Sequence, residues 1–201
     1  MSNNLKIRST LIQVTLTIFL VAAASYAQDA RVAEIKRLGG TVEYDANKRI
    51  TAIDLHSANL TDKDLAILEK FPEIQTLDLR INEIGDDGVK HLRKLKELRT
   101  LNLFRTRVSD AGLRYLKDLT KLETLLIGRT RITDDGLKEL GGLSRLKKLS
   151  VFRTNISDDG VGYLKKLKSL EILLIGESKI TDNGRQAIRK FLPNIDFNEQ
   201  T

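Results

Sequence analysis

Leu77, Leu101, Leu125, Leu149 and Leu173 stand 24 residues apart without slippage. A second column, Leu79, Leu103, Ile127, Val151 and Ile175, keeps the same step two residues later, and one step back gives Ile53 and Leu55. A fixed period of this size specifies a solenoid, because each unit buries its apolar face only against the next one. Six units are expected, starting at 52, 76, 100, 124, 148 and 172, the last with a one-residue insertion before Leu192 and Pro193.

Within a unit the apolar pattern changes period. Thr100 to Phe104 alternate, which reads as a short strand with Leu101 and Leu103 inward. Val108 is then an inward residue, and Ser109 stands where a helix N-cap belongs. Leu113, Leu116, Leu119 and Leu122 follow at three-residue steps and read as one helix face. The fold class is therefore α/β: short parallel strands on the concave side of a horseshoe and helices on the convex side. The segment from Leu101 to Leu116 resembles the leucine-rich-repeat family in its ribonuclease-inhibitor-like form, and the resemblance extends from Ala52 to Phe197. Repeats of this kind look like those of secreted bacterial proteins. The resemblance implies a curved solenoid with a binding role and leaves the ligand open. One departure stands out. The Asn expected after the strand occurs only as Asn82, and Ala58, Thr106, Thr130, Thr154 and Ser178 fill the slot elsewhere.

A second repeated signal lies at the start of each helix. Thr133 reads as an N-cap, and Asp134, with Asp62, Asp86, Asp110, Asp158 and Asp182, falls in the first turn, where the helix dipole favours a carboxylate. Stacked aspartates also suit a divalent cation, but capping accounts for each of them. Gly136 recurs as Gly88, Gly112, Gly160 and Gly184, while the first unit has Asp64 there.

The first 27 residues stand outside the repeat. Lys6 and Arg8, an apolar run from Leu11, and the small residues Ser25 and Ala27 have the order of a secretory signal peptide cleaved after Ala27. Residues 28–51 read as an N-terminal cap: an amphipathic helix with Val32, Ile35 and Leu38, ended by Gly39 and Gly40, and a hairpin strand. Residues 52–198 are the solenoid, with a C-terminal cap from about 185 that includes Phe191, Leu192, Ile195 and Phe197. Cysteine is absent, which removes disulfides, thiolate metal sites and cysteine catalysis. Removing Lys6 and Arg8 from the 34 basic residues leaves 32 against 27 acidic ones, a charge of +5. The lysine-rich helices read as a solvated convex face with His91 among them. Export argues against nucleic acid as a partner and leaves membrane contact to the signal segment alone.

Residues between the inward leucines face the concave side. One row reads Asp54, Asp78, Asn102, Leu126, Ser150, Leu174, and the next His56, Arg80, Phe104, Gly128, Phe152, Gly176. Six strands would expose a sheet about 25–30 Å wide. Phe104, Phe152, Leu126 and Leu174 are outward apolar residues on an uncovered sheet, and such patches mark contacts. Arg105, Arg129 and Arg153 repeat just past the strand, with Glu177 breaking the row. These residues and Arg80 are the candidate partner-binding set, with the arginines favouring an acidic protein. Duplication that carries surface residues along is the competing explanation. Catalysis is not expected: His56 and Ser57 are adjacent on a strand and point to opposite faces, so the one cannot activate the other. Asp54, His56 and Asp78 are the weak alternative for a metal, and no cofactor is implied. The function expected is an exported, non-enzymatic, monomeric protein-binding scaffold. Alternatives are binding of an anionic glycan or envelope polymer, a structural envelope role, and substrate recognition of the ubiquitin-ligase type.

Overall fold

The computed structural model describes residues 30–198. The segment read as a signal peptide lies outside the described residues. Residues 30–37 form a helix, and Val32 and Ile35 from its apolar face are buried. Strand β1 (Thr41–Tyr44) then pairs antiparallel with β2 (Ile50–Asp54). From β2 onward the chain repeats one gesture, through β3 (Thr76–Asp78), β4 (Thr100–Asn102), β5 (Thr124–Leu126), β6 (Lys148–Ser150), β7 (Ile172–Leu174) and β8 (Asp196–Asn198). The sheet has eight strands in sequence order, and those from β2 to β8 are mutually parallel. Leu77, Leu101, Leu125, Leu149 and Leu173 lie directly opposite one another across the ladder and are fully buried.

Six strands were expected from the six units, and the parallel run is one longer. Asp196–Asn198, read as part of a cap, is itself a strand, and Phe197 pairs with Leu173. The inserted residue near Leu192 is absorbed before β8, so the 24-residue register resumes there. Both Leu192 and Ile195 are buried beneath it.

The convex side differs from a row of long α-helices. Asp86–Val89, Asp110–Leu113 and Asp134–Leu137 are single α-turns, and Asp62–Lys70, Lys90–Lys94, Lys138–Gly142 and Val161–Lys166 are 3₁₀. Among the described residues of the repeats, only Asp182–Arg189 reaches two turns of α-helix. The leucines spaced by three state the reason. In unit three, Leu116, Leu119 and Leu122 donate their N–H to Leu113, Leu116 and Leu119 in turn, each at 2.9 Å, so one leucine per turn of i→i−3 bonding points inward. Close spacing of the units favours this compact return over a wider helix.

The aspartate column does more than meet a helix dipole. Each carboxylate from Asp62 to Asp158 crosses to the following unit. Asp110 accepts from Thr133 N at 2.8 Å and Thr133 Oγ1 at 2.7 Å, and Asp134 does the same for Ser157. Asp86 holds Ser109, Asp158 holds Thr181, and Asp62 accepts from Gly85 N at 2.6 Å. Thr133 thus gives its hydroxyl to Asp110 and makes no side-chain cap bond of its own, contrary to the N-cap reading. Ser109 and Thr181 accept from Ala111 N and Asn183 N as well, at 3.3 and 3.2 Å. The glycine column follows from the same carboxylates. A Cβ at Gly88 would lie 2.6 Å from Asp62 Oδ1, and one at Gly112 2.5 Å from Asp86 Oδ1. The first unit has no preceding aspartate, so Asp64 fits the slot and instead closes a capping box with Thr61.

The slot after the strand is also resolved. Asn82 donates to Leu55 O and Leu79 O and accepts from Leu60 N, each at 2.9 Å, so it ties two units together. Thr106, Thr130 and Thr154 each donate only to the carbonyl three residues back.

Charges on the convex side pair between units. Lys121 meets Glu97 at 2.6 Å, and Glu123 lies between Arg99 and Lys147. His91 is not simply solvated: its Nδ1 lies 2.7 Å from Glu69 Oε1, and Lys94 Nζ is 3.0 Å from the other oxygen. Those two hydrogen bonds hold the Glu69 carboxyl down at about 2. An unfolded glutamate titrates near 4.3, and a depressed folded pKa contributes stability above that value that is lost as pH falls toward the folded one. Stability attributable to Glu69 should therefore fade between about pH 4 and pH 2, and the Glu69→Gln variant should lack that component. Side-by-side acid titrations monitored by circular dichroism check this; parallel curves would contradict it.

Candidate functional site

The concave sheet holds the site, and its floor is set by what ends each strand. Asp54, Asp78 and Asn102 turn their side-chain oxygens back to accept the N–H two residues on, from His56, Arg80 and Phe104, at 2.9–3.0 Å. Asp54 also meets His56 Nδ1 at 2.8 Å. Partial burial acts to raise the Asp54 pKa, but the His56 backbone and ring bonds outweigh it and hold the carboxyl below the usual range. Asn102 Nδ2 reaches Asp78 Oδ2 at 3.2 Å, and Arg80 lies 3.4 Å from the same oxygen. These groups are largely committed to one another. Among the described residues no group of three metal-ligating side chains gathers.

In the next units Leu126, Ser150 and Leu174 replace that polar row. A concave pocket of about 470 Å³ opens over them, lined also by His56, Arg80, Ile81, Phe104, Lys148 and Phe152. Phe104 and Phe152 come from strands two apart and stack with ring centroids 6.4 Å apart and planes inclined by 30°. Gly128 lies between them. A Cβ there would stand 3.0 Å from Phe152 O and 3.1 Å from Phe104 Cδ2, so any larger residue would part the rings. The pair forms one wall.

Five of the expected residues, Arg80, Phe104, Leu126, Phe152 and Leu174, meet in this pocket. Phe152 and Leu174, expected to project as open anchors, are 4% and 8% exposed. The inward curvature of the sheet presses concave side chains together, which also buries Asn102 and Ser150. They act as floor and wall, and Phe104 and Leu126 carry the more open apolar surface.

Arg105, Arg129 and Arg153 stand outside the pocket on the turn past the strands. Their φ angles are 55°, 53° and 52°, and Ser57, Ile81 and Glu177 share the left-handed conformation at the same slot. The column is thus a backbone feature of the turn, whatever residue fills it. The arginines differ in their surroundings. Arg153 pairs with Glu177 and lies 5.5 Å over the Phe152 ring. Arg129 lies 5.7 Å over Phe104, a cation–π distance, and its Nε is buried without a hydrogen-bond partner. The structure brings in Lys148 and Ile81 as well, which sequence reasoning passed over. Lys148 takes a place held by Thr76, Thr100 and Thr124 in the preceding units, and that break was the available signal.

The sequence profile of a leucine-rich repeat family matches residues 74–92 and 118–141. No curated protein sequence matches the chain significantly. Among solved structures, an internalin from Listeria monocytogenes superposes with a TM-score of 0.62 at 22% identity, over 78% of this chain and 44% of that one. The chain thus spans under half the length of that structure. An internalin C2 from the same species gives a TM-score of 0.51 at 20% identity, over 74% of this chain and 81% of the other. At such identities the likeness is one of fold.

Proposed function

Since this chain is a leucine-rich-repeat protein, we propose that its concave face is the binding surface of a non-catalytic scaffold for another protein. The observation that carries this reading is the apolar pocket beneath the Phe104–Phe152 stack, on a sheet face that no helix of the repeat covers. Sheets and helices normally bury their apolar faces, and an apolar hollow left open on a scaffold is a place for contact. The arginine turn beside it supports a partner with acidic groups along that edge, since Arg is a frequent interface anchor. The leading segment of the sequence supports export, so the partner would lie in the periplasm, in the cell envelope or outside the cell.

Capture from native envelope and secreted fractions tests the reading, with the chain as bait beside a Phe104→Ala, Arg129→Ala variant. A protein retained by the first and lost with the second, by at least tenfold, is the expected result. Equal retention by both baits would sink it. Retention that vanishes with added salt, yet is indifferent to Phe104, would instead identify an anionic polymer.

A further inference from the structure

Two features of the pocket are costly to the free protein. Ile81 is a β-branched residue held at φ 58° and is 39% exposed, at the pocket rim. A branched side chain at positive φ is strained, and exposure adds an apolar surface left in water. Neither cost serves the solenoid, because Ser57 and Arg105 occupy the equivalent turns above and below. At the opposite side of the pocket, three strands along, Lys148 has no acidic partner among the described residues, whereas the other basic residues that line the pocket, Arg80 and His56, meet Asp78 and Asp54. Between these ends lie Leu126 and the aromatic wall, with Leu174 one strand beyond Lys148, and these offer only apolar contact. Three strand spacings separate the two ends by about 14 Å perpendicular to the strands, and Lys148 also opens its strand whereas Ile81 lies past the end of its own, so the span runs diagonally over the sheet.

Building on the protein-binding reading above, we propose that the pocket receives a short extended segment of the partner in which an aromatic side chain and a carboxylate stand a few residues apart. The aromatic group lies on Leu126 against the Phe104–Phe152 wall and covers Ile81. The carboxylate, a few residues away, pairs with Lys148. The long open face and the turn arginines beyond the pocket favour a protein segment over a small free acid, since a small acid would leave Ile81 or Arg129 uncovered. Charge complementarity places the ends: on the Ile81 side Arg80 is already paired with Asp78 and His56 with Asp54, while Lys148 stands unpaired among the described residues, so the acidic end belongs at Lys148.

The test titrates the ¹⁵N-labelled full chain with the blocked peptide Gly-Trp-Ser-Gly-Glu-Gly. Saturable amide shifts confined to Phe104, Leu126, Ser150 and their neighbours are expected. Lys148→Glu should weaken binding at least tenfold, and a peptide with Lys in place of Glu should bind that variant and fail on the wild type. Ile81→Gly should raise the melting temperature while weakening the peptide severalfold, a pairing that a merely structural residue would not give. The proposal is overturned by absent shifts at millimolar peptide, by binding indifferent to Lys148→Glu, or by indole-3-acetate binding as tightly as the peptide. Should a captured partner depend on Phe104 and be indifferent to Lys148→Glu, the protein-binding reading stands and this one falls.

Discussion

Replacing Gly112 by alanine should lower the unfolding free energy by about 2–3 kcal/mol, although alanine is the better helix residue. The added Cβ would sit 2.5 Å from Asp86 Oδ1 and 2.9 Å from Val108 Cγ1. Val108 can turn aside, but Asp86 cannot without giving up its bonds to Ser109 N and Oγ at 2.8 and 2.6 Å. Hydrogen bonds to a charged acceptor are worth about 1.5–3 kcal/mol, so the loss of that pair accounts for most of the effect. In an Asp86→Ala background the obstacle is gone, and the same Gly112→Ala change should be neutral or stabilising by up to about 1 kcal/mol. Gly112 has no left-handed φ to forbid the side chain, which makes the sign reversal a clean consequence of contact. Urea melts of the four chains in a double-mutant cycle give the answer. Additive losses would show that Gly112 is required for a reason other than the neighbouring carboxylate.

The second large effect is at Asn82. Its amide serves Leu60 N, Leu55 O and Leu79 O within a buried turn, so Asn82→Ala strands three backbone groups. Leaving a buried polar group unpaired costs about 1–3 kcal/mol, and partial relaxation brings the expected total to about 3 kcal/mol. Thr106→Ala removes a single bond to Leu103 O and should cost about 1 kcal/mol. Asn82→Thr should fall between, because a hydroxyl restores the local bond to Leu79 O and leaves Leu60 N without its acceptor. Equal losses for Asn82→Ala and Thr106→Ala, measured by the same urea melts, would show that the bridge between units carries no extra stability.

The strand ladder was legible in the sequence because side chains alternate across a strand and a parallel solenoid stacks equal positions. Leu101 therefore had to face Leu125. The return on the convex side was legible as a helical face but not as a type of helix. Leu113, Leu116, Leu119 and Leu122 carry the three-residue period of 3₁₀ bonding, yet they also satisfy an amphipathic helix, and only the bonds to the third residue back decide it. The aspartate ladder was misread because a first-turn carboxylate has a sufficient local explanation. Its true signal is a coupling over 26 residues, Asp86 to Gly112 and Asp110 to Gly136, broken only where Asp64 has no aspartate behind it. In the site, identity and row were readable and exposure was not. Phe152 and Leu174 are covered by neighbours on the concave side, and curvature is a property of the stack that no single unit encodes. Lys148 carried a weaker signal: its column reads Ala52, Thr76, Thr100, Thr124, Lys148, Ile172, so a single charge in it stands out less than the repeated arginines.

The carboxylate that crosses from each unit to the next makes a unit complete in itself. It carries an acceptor for its successor and a glycine shaped for its predecessor, so every junction from Asp62 and Gly88 to Asp158 and Gly184 shares one carboxylate-and-glycine joint, completed by a Ser or Thr hydroxyl in all but the first. A 24-residue copy inserted between two units meets joints it already fits, and each one lengthens the sheet by about 5 Å. The reach of the concave face is thus a matter of copy number, while what it recognises is written in a handful of side chains that the joint never touches. Span and selectivity can be inherited separately.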